Sequence, residues 1–548
     1  SLERMYELGA TSPAIVRNFT NIGVRFISPR DAGLPDTLMY SNPHDFGPRL
    51  GFAWRVAEGK RATVLRGGYS LFGFPIPLRT FNARMRSNAP TNARFSLNYS
   101  SAAQSPDGLP NYLLRSVPSV IGGVNSRNLL NPNEPGGVAR GSFLTSFFEP
   151  QQPTTRAHEW NLTLEREILD NMVVRAGYIG TRGSRLEQFY TFNQQANNYV
   201  WFVTTGQPLP TGEFSGVARR TFDQTSFGDI EMYRKTGWSN FNGVQLEMEK
   251  RYAKGYGFQI FYVMSNAFRA AGNGWSDDFA REAAVFLPGA VPTGYKERNR
   301  FLNYRRDIEI PKHRLRWNWI ADLPVGRGKK FASNAGGVLD RIVGGWQIAG
   351  FGSVRSNYWS LPTSNWGRLG DVEVYGKKYP IEDCRSGQCF QGYLWYNGYI
   401  PANRVNSTAA NGAPNGVMGV PSNYRPAHLP VIPNPANPQP GDPNAPFYDT
   451  NTVYVTLRNG SVQRLALDTG LHPWTNQFLP GIRAWGLDAS LFKNTRITER
   501  FTLRFNADVF NALNMPGLGQ PDSGSGIVST RNSANSPREL QLTLRLSW

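Results

Sequence analysis

The chain lacks any run approaching the ~18 consecutive apolar residues of a membrane-spanning helix, and its mean hydropathy is -0.43. A helical membrane protein is excluded. A barrel is not, because barrel strands are half polar and their connections are wet. Cysteine is nearly missing: only Cys384 and Cys389 are present, in C-R-S-G-Q-C within a polar, glycine-containing stretch. That spacing reads as a small disulfide loop formed in an oxidising compartment. The five histidines, at 44, 158, 313, 428 and 472, are too dispersed to complete a metal site. No compact Lys/Arg block accompanies the net charge of +19, which argues against a nucleic-acid partner. The scattered positive charge instead suits anionic lipid headgroups or phosphorylated glycolipid. G-x-S-x-G, H-E-x-x-H and Cys/His clusters are all missing, so no catalytic, cofactor-binding or metal residue is assigned and the chain is not read as an enzyme. No charged-then-apolar leader follows Ser1; the expectation is a removed signal or a fragment.

What the chain does have is alternation. In E-L-Q-L-T-L-R-L-S-W, residues 539–548, Leu540, Leu542, Leu544, Leu546 and Trp548 share one face, and Gln541, Thr543, Arg545 and Ser547 share the other. Period 2 over about ten residues is a β-strand long enough, when tilted, to cross the hydrocarbon core. The pattern recurs. Strands are expected at 49–56, 62–72, 158–168, 173–180, 241–252, 257–268, 314–322, 346–355, 483–492 and 500–510 as well, eleven in all. The apolar row includes Leu162, Trp317 and Phe505 with Leu542; the polar row includes Gln245, Arg504, Asp508 and Thr543.

The connections are sorted by length. Short ones fall at 57–60, 169–172, 253–256 and 494–499, with 324–344 as a longer member in which 337–343 could form one or two helical turns. Long ones fall at 74–155, 181–238, 269–311, 358–480 and 512–537. A soluble sandwich has no reason to sort its loops. An outer-membrane barrel has short periplasmic turns and long outer loops. With Trp548 at the periplasm, every short turn falls there and every long loop outside. The fold class is therefore all-β, an antiparallel transmembrane barrel with long extracellular loops spanning 1–548, of which 358–480 is the largest loop region. Eleven is odd, and an unpaired edge is not tolerated in lipid. The expectation is an open sheet with the first and last strands at opposite edges, the missing partner strand lying outside this chain.

Several segments carry a resemblance: R-A-H-E-W-N-L-T-L-E-R-E (156–167) with N-M-V-V-R-A-G-Y-I-G-T-R-G-S-R-L (171–186), P-R-L-G-F-A-W (48–54) with L-R-G-G-Y (65–69), L-P-V-G-R-G-K-K-F with V-G-G-W-Q-I-A-G, and F-N-A-L-N (510–514) with S-T-R-N-S (529–533). In this order, over most of 45–548, the chain resembles TonB-dependent outer-membrane receptors of the Oar-like class. The resemblance implies a 22-stranded barrel of which this is the C-terminal portion, the N-terminal plug and first strands being absent. It implies uptake or export of a large or scarce substrate. Its implied partners are outer-membrane lipid and lipopolysaccharide, TonB through the missing N-terminal part, and an unknown substrate. No cofactor is implied.

Other readings stay open. The barrel could be only an anchor for a surface interaction or structural protein, and a secreted carbohydrate-binding protein is a third possibility. Tyr393, Trp395, Tyr396 and Tyr399, beside the cysteines, could contact a ligand or partner or simply pack the loop. Gly326-Arg-Gly-Lys-Lys330 is either a phosphate loop lacking the usual spacing or a basic turn. The segment 442–449 could hold Ca²⁺ or be a plain solvated loop, and Glu247 with Glu249 could be an acid pair or a wet wall. One expectation is directly measurable. Intact mass should gain two alkyl groups only after reduction of freshly isolated protein; two free thiols without reductant would contradict the disulfide.

Overall fold

The computed structural model describes residues 27–40, 45–59, 61–77, 146–193, 198–207, 230–270, 286–361, 366–430, 452–456, 462–466, 478–515, 517–531 and 534–548, with a few single positions between them. The segment 442–449 lies outside them. One antiparallel sheet dominates. Its main path has eleven strands in sequence order: β1 Arg49–Ala57, β2 Thr63–Phe74, β3 Thr155–Leu169, β4 Met172–Phe192, β5 Ile230–Ala253, β6 Tyr256–Ala270, β7 His313–Asp322, β8 Trp346–Arg355, β9 Ala484–Arg496, β10 Thr502–Phe510 and β11 Glu539–Ser547. These are the eleven expected from alternation. β1 and β11 are the two edges and do not pair with each other among the described residues, as the odd count required.

Register carries one face across all eleven strands, ending with Leu162 opposite Gly67 and Gly67 opposite Phe52. Leu542 stands opposite Ala507, Ala507 opposite Leu491, Leu491 opposite Ile348 and Ile348 opposite Ala321. The same row continues through Trp317 opposite Ile260, Ile260 opposite Met248, Met248 opposite Val174 and Tyr178 opposite Leu162. The polar residues Arg504, Asp508, Thr543 and Gln245 all fall on the other face. Because directly opposite residues share a face, a slip of one residue anywhere would exchange the two sets. Aromatics cover glycines on the apolar face. Trp317 lies opposite Gly352 and Trp319 opposite Gly350, each indole so close that a Cβ on the glycine would collide with it. W-x-W on one strand against G-x-G on the next thus locks the register of β7 and β8.

The short connections gather at one end of the sheet. In the two-residue hairpin between β5 and β6, Lys254 (φ 58°) and Gly255 (φ 85°) occupy the left-handed region, the conformation whose twist matches the flanking strands. Asn171 (φ 62°) serves the β3–β4 turn. The β7–β8 connection contains a short helix over Gly337–Val343, as the sequence indicated.

Three expectations need correction. β4 and β5 run well past 180 and begin well before 241, pairing as far as Phe192 opposite Ile230. Alternation fails there because both sides are covered: Tyr190, Ile230 and Tyr233 are all buried. β9 continues to Arg496, which moves the following turn to 497–501. Finally, 358–480 is not simply irregular. Pro380–Asp383, Phe390–Leu394 and Val417–Met418 join Ile527–Ser529, from the next long connection, in a four-stranded sheet. Ile381, Leu394, Ile400, Val417, Val420 and Ile527 form its core.

The two faces should respond differently to charge. Leu542→Arg should cost roughly 2–4 kcal/mol in a bilayer, and Thr543→Arg much less, as read by unfolding in lipid vesicles. Equal penalties would contradict the assignment of faces.

Candidate functional site: the polar wall and the folded long connections

The polar face carries a connected ladder. Arg175 on β4 reaches Glu165 on β3 at 2.8 Å, and Glu247 and Glu249 on β5 at 3.1 and 2.7 Å. Arg66 on β2 adds a looser pair with Glu165 at 3.6 Å. Gln259 on β6 donates to Glu247 at 2.6 Å, and Asn318 on β7 donates to Gln259 at 3.3 Å. Strand alternation brings these residues together, since register places Glu165, Arg175 and Glu247 in one row. One guanidinium is thus shared by three carboxylates from the two neighbouring strands. Glu247 and Glu249 both spend their carboxylates on Arg175, which fits the wall alternative. Further along, Arg314 stands opposite Arg355, with Arg316 two residues on, on the same polar face. The wall is thus acidic over β3–β5 and basic over β7–β8.

Beyond the wall, the extended β4–β5 hairpin builds a buried polar lock. Gln188 and Asn299 exchange amide hydrogen bonds of 2.9 and 2.5 Å. Both are nearly inaccessible, so each amide needs the other. Asn299 sits on helix α1, Tyr295–Leu302, which this pair pins to the hairpin. Lys235 is held by Glu187 at 2.9 Å. Arg234 pairs with Glu149 at 2.6 Å and lies 3.7 Å over the Tyr295 ring. Nothing in the local sequence flags Gln188 or Asn299; only the fold brings together positions 111 residues apart.

The largest folded connection holds the cysteine pair and its aromatic neighbours. Cys384 and Cys389 are bonded. Among the described residues the only grouping of metal-type ligands is Glu382 with these two, and their sulfurs are already committed to each other. Asp383 lies beside the bridge. Burial pushes its carboxyl up, but the two-pronged contact from Arg385, 2.8 Å to each oxygen, outweighs burial and holds it below the ordinary carboxylate range. Tyr396 is fully buried, packs on Trp359 and His428, and donates its hydroxyl hydrogen to the Ser523 carbonyl. Burial, with Asp522 and Tyr424 nearby, pushes its hydroxyl pKa well up. Tyr396 and the partly buried Trp395 thus serve the loop's own core. Tyr393 lies under the Lys377 ammonium at 5.8 Å. Tyr399 takes a different position, lining an open polar pocket of about 730 Å³ with Asp383, Arg385, Gln520, Asp522 and Ser525. Of the four aromatics, Tyr399 alone lines this pocket.

The Gly326–Lys330 turn binds its own carboxylate. The Arg327 N–H donates to Asp340 Oδ1 at 2.6 Å, so this backbone donor is already engaged and the basic-turn alternative fits.

A family model described as an outer membrane beta barrel domain matches residues 11–541. No curated protein matches the chain. Among solved structures, the outer membrane transporter YddB from Escherichia coli aligns at 9% identity and a TM-score of 0.34, covering 88% of this chain and 38% of that one. The ferripyoverdine receptor of the outer membrane of Pseudomonas aeruginosa aligns at 8% and 0.31, covering 91% and 32%. The copper transporter OprC aligns at 8% and 0.30, covering 93% and 41%. The chain therefore spans about a third to two-fifths of the length of these structures. The match over 11–541 sets the conclusion: the chain belongs to the outer membrane beta barrel domain family.

Proposed function

We propose that the chain supplies barrel wall and outer loops to a TonB-dependent receptor of the bacterial outer membrane, which moves a large or scarce substrate. One observation carries this: an eleven-strand sheet with one apolar and one charged face, whose short turns all lie at one end. Family membership supports the location, and the Oar-like segments support the TonB-dependent class. On this reading the short turns face the periplasm, the long connections face outward among lipopolysaccharide, and strands of the same polypeptide preceding residue 49 close a 22-stranded barrel. Tyr399 and the pocket beside the disulfide are the proposed substrate-facing part of the loops.

A second reading is favoured by the folded connections themselves. The sheet around Ile381 and Leu394 has a core of its own, as a surface interaction module would.

The two separate cleanly in one experiment. Full-length protein should fractionate with the outer membrane, and in detergent it should be retained by immobilised TonB periplasmic domain. Outer-membrane location without TonB retention would favour the anchor reading, and solubility without detergent would sink both.

A further inference from the structure

Helix α2, Gly337–Val343, is too short to be stable alone in water, yet it is held firmly. The Trp346 indole N–H donates to the Ile342 carbonyl at 2.9 Å. The Lys493 ammonium donates to the carbonyls of Arg341, Ile342 and Gly344 at 2.5, 3.2 and 2.5 Å. A cation on the last carbonyls of a helix is favoured by the dipole as well.

Where those two side chains stand decides where the helix lies. Trp346 is opposite Lys493, and Lys493 is opposite Phe505, all in the apolar row. The Trp346 ring meets the Phe505 ring edge-on at 5.8 Å. The helix end is therefore fastened to the outside of the wall, not beneath its polar interior. A lysine in that row would be costly facing hydrocarbon, but here the helix carbonyls take its charge.

The free side of the helix is apolar. Val338, Leu339 and Ile342 share one face at helical spacing and are 78%, 52% and 63% exposed, and Phe331 in the preceding turn is 55% exposed. Arg341 on the helix, and Arg327 and Lys330 in the preceding turn, are exposed as well, and the Arg327 N–H is bonded to Asp340 of the helix. An apolar face rimmed by basic side chains, continuous with a lipid-facing belt, is the composition of a helix lying in the headgroup layer.

We infer that α2 is a membrane-surface anchor: Val338, Leu339, Ile342 and Phe331 enter the acyl boundary, while Arg327, Lys330 and Arg341 meet anionic phospholipid headgroups. Placing those lipids in the inner leaflet rests on the proposed orientation of the short turns toward the periplasm. The anchor fixes the depth and tilt of the wall at β7–β9, where the longest of the short-end connections would otherwise hang free.

The test uses full-length protein in vesicles containing phosphatidylglycerol, with spin labels on single introduced cysteines. The native pair is bonded and takes no label. Val338→Cys and Ile342→Cys should collide several-fold more with oxygen than with a water-soluble nickel chelate, as should the wall control Leu542→Cys. Glu499→Cys, in the 497–501 turn, should show the reverse. Replacing phosphatidylglycerol by phosphatidylcholine should reduce the contrast at 342, and the combined variant Arg327→Gln, Lys330→Gln, Arg341→Gln should remove that lipid dependence. Nickel access at 338 and 342 with 542 still in lipid would overturn the anchor and leave the barrel intact. Protection from both reagents would mean that protein, a second copy included, covers the helix, and would also overturn it. Nickel access at 542 as well would bring down the barrel reading and the anchor with it.

Discussion

Backbone N–H and C=O groups in hydrocarbon have no water to bond, so every one must be satisfied within the sheet. That constraint governs this protein. It demands long, regular antiparallel ladders, which the eleven strands provide with few register shifts. It also frees the side chains for a division of labour. One face can be largely apolar because it meets lipid, and the other can carry unbalanced charge because it meets water. Arg175 among three carboxylates and Arg314 opposite Arg355 are both tolerable on a wet wall, and neither would be tolerable in a dry core.

Outside the membrane zone the constraint lapses and ordinary globular physics takes over. The hairpin of β4 and β5 is covered on both sides and buries large aromatics such as Tyr190 and Tyr233. The reciprocal Gln188–Asn299 pair then ties a helix to it. The 380–430 region closes around Leu394 and Val417, with the disulfide at the tip of its hairpin and Tyr396 stitched to the 523–528 segment. At the opposite end, α2 shows a third regime, in which side chains of the apolar row, Trp346 and Lys493, hold backbone carbonyls of a turn.

How legible each part was follows from these regimes. The strands were readable because a lipid-facing row and a wet row must alternate; Leu542 against Thr543 and Leu162 against Thr163 show it residue by residue. The helix at 337–343 was readable from a compact apolar-polar run between glycines. The continuation of β4 to Phe192 was hidden, because burial on both faces removes the period-2 signal. The small sheet around Leu394 was hidden for a different reason: its four strands are two to five residues long and one comes from more than a hundred residues away, at Ile527–Ser529. The aromatic run 393–399 was visible as composition, but which ring faces a cavity depended on tertiary packing; burial claimed Tyr396 and left Tyr399 at the pocket.

The account stands or falls on the two faces of the wall. A cysteine scan of residues 160–165 on β3, in full-length protein reconstituted in lipid, tests them most directly. Positions 160, 162 and 164 should react with a lipid-soluble maleimide and resist a charged aqueous thiol reagent. Positions 161, 163 and 165 should do the opposite. Uniform reactivity along the strand, or a period other than two, would contradict it.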